Sequence, residues 1–178
     1  NYQLIISVDG SSFFGWQIQN DVRTIQGEIE KELKSIFKVN NINLIGSGRT
    51  DSGVHAHNQI ASVILPSEVD LHKFFNSVNG IINNDIFIKK YEKVDDDFHA
   101  RFSAKFRSYK YYINTQYSPF KKNISWLINN KINLNILNKC SDAIIGEHNF
   151  ASLSKNNDEI KNKICTIYES FWEQSGND

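Results

Sequence analysis

Hydrophobic and polar positions along the chain change period several times, and each change marks an element. Residues 2–8 carry the composition of a strand. Asp9-Gly10-Ser11-Ser12 follows as a turn and Phe13-Phe14-Gly15-Trp16-Gln17 as an aromatic loop. The spacing of Ile25, Ile29, Leu33, Ile36 and Phe37 then predicts a helix, with Thr24 where an N-cap belongs. Ile42 to Ile45 predicts a strand entering a glycine-bounded loop, Gly48 to His55. Gln59 to Leu65 predicts the strand leaving it, closed by Pro66. Asp70 is placed to cap a second helix whose apolar face is Leu71, Phe74, Phe75 and Val78, ending near Asn79-Gly80. A further strand is expected from Ile86 to Val94.

The order strand, helix, strand, strand, helix, strand is a split β-α-β layout, so the expected fold class is α+β, with antiparallel sheets and helices on one face. This is the ferredoxin-like arrangement that RNA-recognition modules also use. Asp95-Asp96-Asp97 breaks the pattern and divides the chain into residues 1–97, carrying the Gly48 loop, and residues 98–178. In the second part Lys105 to Thr115 predicts a strand with Arg107, Tyr109, Tyr111 and Ile113 on one face. Leu134 to Ile145 predicts a helix stopped by Gly146, and Ile164 to Trp172 another strand. This part ends at polar Gln174-Ser175-Gly176-Asn177-Asp178 and is an incomplete copy of the first.

Composition narrows the classes. No apolar run approaches the roughly 20 residues that cross a bilayer, and no secretion signal is visible, so a cytoplasmic protein is expected. Cys140 and Cys165 stand apart and are expected as buried free thiols. A net charge of zero argues mildly against a nucleic-acid partner. Its distribution argues the other way, because no acid occurs from Phe98 to Ser141 while Arg101, Lys105, Arg107, Lys110, Lys121, Lys122, Lys131 and Lys139 all do. Arginine is scarce, with Arg23, Arg49, Arg101 and Arg107 against sixteen lysines, which draws attention to each place where a planar donor fork stands.

The loop Gly48-Arg49-Thr50-Asp51-Ser52-Gly53-Val54-His55 is the main chemical candidate. Its glycines allow a tight turn that presents a carboxylate at the rim of a sheet, and Arg49 is near enough in sequence to keep Asp51 ionised. An ionised, partly desolvated carboxylate is a competent nucleophile. Asp51-Ser52-Gly53 alone would also suit an aspartic protease, but only one such triplet occurs and Arg49-Thr50 is the wrong approach to it. His55 and His57 alternate as metal ligands can, without a third ligand nearby.

The octapeptide closely resembles the signature of the TruA family of transfer-RNA pseudouridine synthases. The resemblance extends to Val8-Asp9-Gly10, Phe14-Gly15-Trp16-Gln17 and Thr24-Ile25-Gln26. It continues through Asp97-Phe98-His99-Ala100-Arg101-Phe102-Ser103-Ala104 and Arg107-Ser108-Tyr109-Lys110-Tyr111. It implies isomerisation of uridine to pseudouridine in the anticodon arm, around positions 38 to 40, by a homodimer needing neither cofactor nor metal. Asp51 would be the nucleophile, Tyr109 would pack on the uracil, and Arg49 would hold Asp51 and reach into the RNA. Arg101, Arg107 and Lys110 are weaker candidates for phosphate contacts. Family members continue into a strand and a helix with a Val-Arg-Asn-Ile-like motif, whose arginine pairs with the nucleophile. Nothing in these residues matches it, so a fragment or a reduced active site is expected. A noncatalytic RNA-binding module of similar fold is the alternative, with Phe13, Phe14 and Trp16 stacking on bases or packing inside.

Overall fold

The computed structural model describes residues 1–154 and 162–175; the last residues of the polar tail, 176–178, lie outside it. The chain forms two compact units, Asn1–Tyr109 and Lys110–Asp178. The architecture is α+β.

The first unit holds strand β1 (Tyr2–Val8), helix α1 (Ile25–Phe37), strands β2 (Leu44–Gly46) and β3 (Ala56–Val63), helix α2 (Leu71–Ile81) and strand β4 (Ile86–Lys93). All four strands pair antiparallel in the order β2-β3-β1-β4, the split β-α-β topology expected from the pattern. β3 begins earlier than predicted because its pairing runs on past Gln59 to the contact of Ala56 with Val8. Thr24 accepts from the Gly27 N–H, and Asp70 from the Lys73 N–H, so both helix starts are capped as their sequences require.

Strand β1 alternates strictly, with Tyr2, Leu4, Ile6 and Val8 buried. They join Leu44, Ala61, Val63, Ile86 and Ile88 from the other strands and Ile25, Ile29, Leu33, Phe75 and Val78 from the helices in one core. Phe75 stacks on Tyr91 of β4 at 4.4 Å between centroids. Burying each of these large side chains stabilises by ~1.5–3 kcal/mol, which makes this core a large favourable term set against chain entropy. Phe13 and Trp16 also lie in the core, whereas Phe14 is exposed, so two of the three aromatics of the opening loop are packing residues.

Two buried polar side chains bind α1 to the short strand β2. Gln26 Nε2 donates to the Leu44 carbonyl at 3.0 Å, and Glu30 Oε1 accepts from the Leu44 N–H at 3.0 Å and from Gln26 Nε2 at 2.9 Å. Lys34 supplies the countercharge to Glu30 at 3.1 Å. Both main-chain groups of Leu44 are thereby satisfied, and a lost partner here leaves a buried donor without an acceptor. Glu30→Ala is expected to destabilise by ~2–4 kcal/mol, read as a lower urea midpoint. A midpoint equal to wild type would show that water replaces the carboxylate.

Residues 98–109 belong to the first unit, which therefore extends past the Asp95-Asp96-Asp97 break. Asn1 Nδ2 donates to the Phe98 carbonyl, and the Ala100 N–H donates to Ser62 Oγ on β3. The strand expected over Lys105–Thr115 is not formed in that length. Only β5 (Ile113–Asn114) pairs, in parallel, with β6 (Trp126–Leu127). Alternation makes a strand only where a partner accepts the ladder of hydrogen bonds, and along 105–112 Tyr109 and Tyr111 point to solvent instead.

In the second unit helix α3 (Leu134–Asp142) is capped by Asn133, and β7 (Gly146–Asn149) pairs antiparallel with β8 (Ile164–Ile167). The helix stops short of Ile145 because the Ile144 and Ile145 N–H groups turn back only three residues, to Ser141 and Asp142. β8 ends at Ile167, where its partner strand begins. Ser141 is the only fully buried described residue of this unit. Cys140 and Cys165 are free but exposed, correcting the expectation of buried thiols: the described part of the unit has no apolar interior to receive them.

Candidate active site

The Gly48–His55 loop joins β2 to β3 and is packed against the loop that follows β1. Trp16 N–H donates to the Thr50 carbonyl at 3.0 Å, Gly53 N–H to the Phe13 carbonyl at 3.1 Å, and Ser52 Oγ to the same Phe13 carbonyl. At Gly10 and Gly15 the two loops approach so closely that there is no room for a side chain. A Cβ on Gly10 would lie 2.1 Å from the Val54 carbonyl oxygen, and one on Gly15 2.5 Å from the Thr50 oxygen. Gly15 also has φ +91°, a left-handed conformation that L side chains rarely adopt.

The opening loop is itself anchored. Arg23 lies over the Phe13 ring at 4.2 Å, pairs with Asp85 at 3.1 Å and reaches Glu28 at 3.5 Å. Asp9 caps the short turn after β1 and lies 3.2 Å from His55 Nδ1, a contact that becomes an ion pair when the imidazole is protonated. Its carboxyl is held below the usual range, chiefly by the Ser11 N–H, then by the Ser11 side chain, with His55 adding attraction. Sequence singles out Arg23 by its rarity and its place beside Thr24-Ile25-Gln26, without a role. Its anchoring partner Asp85 lies far along the chain, and nothing local signals the pairing.

At the entry to the loop Ser47 N–H donates to the Ile60 carbonyl at 2.7 Å, and the Gly48 carbonyl accepts from Gln59 Nε2 at 2.7 Å. Arg107 closes the same point. Its Nε donates to the Ser47 carbonyl at 3.0 Å, Nη2 donates to the same oxygen, and Nη2 also donates to the Arg101 carbonyl at 3.3 Å.

Asp51 sits at the crest, exposed to solvent. Its main-chain carbonyl accepts from the Val54 N–H, while among the described residues no hydrogen bond or ion pair engages its carboxylate. Arg49 is exposed beside it without an ion pair to it, so the local pairing anticipated from sequence is not made among the described residues. Arg101 is exposed, its guanidinium 5.9 Å from the Phe102 ring. Tyr109, the last residue of the first unit, is 69% exposed. Lys110 is exposed at the start of the second unit. The structure thus brings Asp51, Arg49 and Arg107 to one loop, places Arg101 in the turn at 100–102 and leaves Tyr109 on an exposed stretch without regular secondary structure. A cleft of about 440 Å³ lined by Glu92, Lys93, Val94, Asp95, Asp97, Phe98 and Ser103 contains no residue of the Gly48–His55 loop. Among the described residues no cluster of His, Cys, Asp or Glu is arranged to hold a metal ion, His55 and His57 included.

Comparison with known proteins places this arrangement in context. A family model described as tRNA pseudouridine synthase matches residues 4–103. The tRNA pseudouridine synthase A of Ureaplasma parvum is 42% identical over 156 residues, covering 86% of this chain and 65% of the relative. That of Thermosipho melanesiensis is 40% identical over 172 residues, covering 94% and 68%. That of Bacillus subtilis is 36% identical over 173 residues, covering 96% and 70%. The chain spans about two thirds of the length of these relatives, 65% for the Ureaplasma protein.

Proposed function

Since the chain belongs to the TruA family of tRNA pseudouridine synthases, we propose that the protein of which it is part isomerises uridine to pseudouridine in transfer RNA, with Asp51 as the nucleophile. The observation that carries this reading is a solvent-facing carboxylate, uncommitted to any described partner, on a loop whose backbone is fixed at both ends. A carboxylate spent on capping its own loop would be unavailable for attack; this one is available.

The target nucleotide leaves the base stack, at a cost of a few kcal/mol, before the carboxylate reaches it. Asp51 then attacks either the uracil ring or the ribose anomeric carbon. In both routes the N1–C1′ bond breaks, the uracil rotates, a C5–C1′ bond forms, and the bond to the Asp51 oxygen breaks again to return the free carboxylate. The C5 hydrogen departs to solvent as a proton and N1 takes a proton up, so the product is an isomer and no electrons are exchanged. Neither a metal nor an organic cofactor enters this balance. Arg49, together with Arg101 and Lys110 from the stretch Phe98 to Ser141 that has no acid, supplies positive charge for the RNA backbone. We further propose that the substrate is the anticodon stem-loop around positions 38 to 40, that the working form is a homodimer, and that it acts in the cytoplasm. No helix of the described residues is long and apolar enough to cross a membrane.

The test is tritium release from transfer RNA labelled at uridine C5, using the full-length protein. Release identifies the isomerase, whereas tight binding without release would favour a noncatalytic RNA-binding module. The exposed Tyr109 ring offers a stacking surface for the uracil, worth ~1–3 kcal/mol. Tyr109→Phe is therefore expected to keep RNA affinity within about twofold, and Tyr109→Ala to lose about 5- to 150-fold. Equal affinity of all three forms would remove that role.

A further inference from the structure

The guanidinium of Arg107 is committed to backbone rather than turned outward to an anion. Of its five N–H donors, the one on Nε and both on Nη2 go to two main-chain carbonyls, Ser47 and Arg101. Ser47 is the residue at which the chain leaves β2 for the Gly48–His55 loop, and its N–H is already bound to Ile60 of β3. Gly48 lies directly beneath the side chain, so that a Cβ there would come within 3.2 Å of Arg107 Nε. The planar fork therefore ties the 101–107 segment to the stalk of the loop that carries Asp51, across a sequence separation of 60 residues. A lysine cannot reproduce this, because a single ammonium lacks the parallel donors that hold one carbonyl twice and a second one beside it.

We infer that Arg107 is a positioning residue for Asp51, setting where the carboxylate stands by fixing the Ser47 carbonyl, and is not a phosphate contact. This rests on the reading of Asp51 as the nucleophile. A displacement of about 1 Å at a reacting group costs on the order of 100-fold in rate, so loosening one stalk of the loop acts on the chemical step. Binding of the RNA, carried by other cations, is left as it was.

The full-length protein and its Arg107→Lys and Arg107→Ala variants are compared in single-turnover tritium release at saturating transfer RNA, and in RNA binding across a salt series. Arg107 is exposed, so both variants are expected to fold, and melting temperatures check this. The expected result is a rate lower by about 10- to 100-fold in both variants, with the dissociation constant and its salt dependence unchanged. A weaker dissociation constant in Arg107→Ala, a salt slope reduced by about one and an unchanged saturated rate would overturn the inference in favour of a phosphate contact. A lower melting temperature with an unchanged rate per folded molecule would overturn it in favour of a merely structural role. Asp51→Asn, measured alongside, reports on the nucleophile by itself: turnover retained there removes that reading whichever way the Arg107 variants behave.

Discussion

Asp51→Asn in the full-length protein is expected to abolish tritium release, lowering the rate by more than about 10⁴-fold, or ~5 kcal/mol of barrier, while leaving transfer-RNA affinity and melting temperature close to wild type. The size follows from the role. An amide of the same shape cannot form the covalent bond, so one route to product is removed rather than weakened. Stability is spared because the loop is held by main-chain contacts of Thr50 and Gly53, by the Ser52 hydroxyl and by the Gly48 carbonyl, none of which uses the Asp51 carboxylate. Rates equal to wild type would dismiss the assignment. A fall in melting temperature comparable to that of a core substitution would show that the carboxylate has a structural task as well.

A second large effect is expected from adding one methyl group at the contact between the two loops. Gly15→Ala must place a Cβ 2.5 Å from the Thr50 oxygen, in a backbone conformation with φ +91°. Both obstacles are main chain, so neither can turn away as a side chain would, and the left-handed conformation adds ~1–3 kcal/mol. The opening loop then has to part from the Asp51 loop, breaking the bond from the Trp16 N–H to the Thr50 carbonyl. A loss of about 100-fold in rate and ~2–4 kcal/mol in stability is expected, measured by tritium release and urea unfolding. Gly10→Ala meets the Val54 carbonyl in the same way and is expected to behave alike. Full activity in both variants would mean that the loops tolerate separation and that their close approach does not place the carboxylate.

The first unit was legible in the sequence because its signals are local. Thr24 and Asp70 cap helices within three residues of themselves, and the apolar spacing of Ile25, Ile29 and Leu33 records which face of α1 is buried. The Asp51 loop was legible as a motif, and its exposure agrees with what glycines on either side permit. What the sequence hid depends on contacts made across long separations. Arg107 alternates with Tyr109 and Tyr111 as a strand would, yet its guanidinium is captured by Ser47, and among the described residues no strand pairs with the segment before Ile113. Arg49, two residues before Asp51, suggested an ion pair, but closeness along a tight turn does not orient two side chains toward each other. The cysteines were misjudged because burial was inferred from residue type, and type cannot reveal that the described part of the second unit lacks an interior.

The capture of Leu44 by Gln26 and Glu30 has a consequence for solution behaviour. A β-sheet ends in rows of unpaired amides and carbonyls that invite another molecule to add a strand. At one margin of this sheet β2 is only three residues long, and the polar groups of Leu44 are occupied by helix side chains. At the other margin, β4 carries Lys89, Lys90 and Lys93, and its register with β1 slips between Ile5 and Ile6. Neither margin offers a flat, uncharged template, so the sheet resists fibre growth and strand exchange at high concentration without spending any of the surface around Asp51 on that protection.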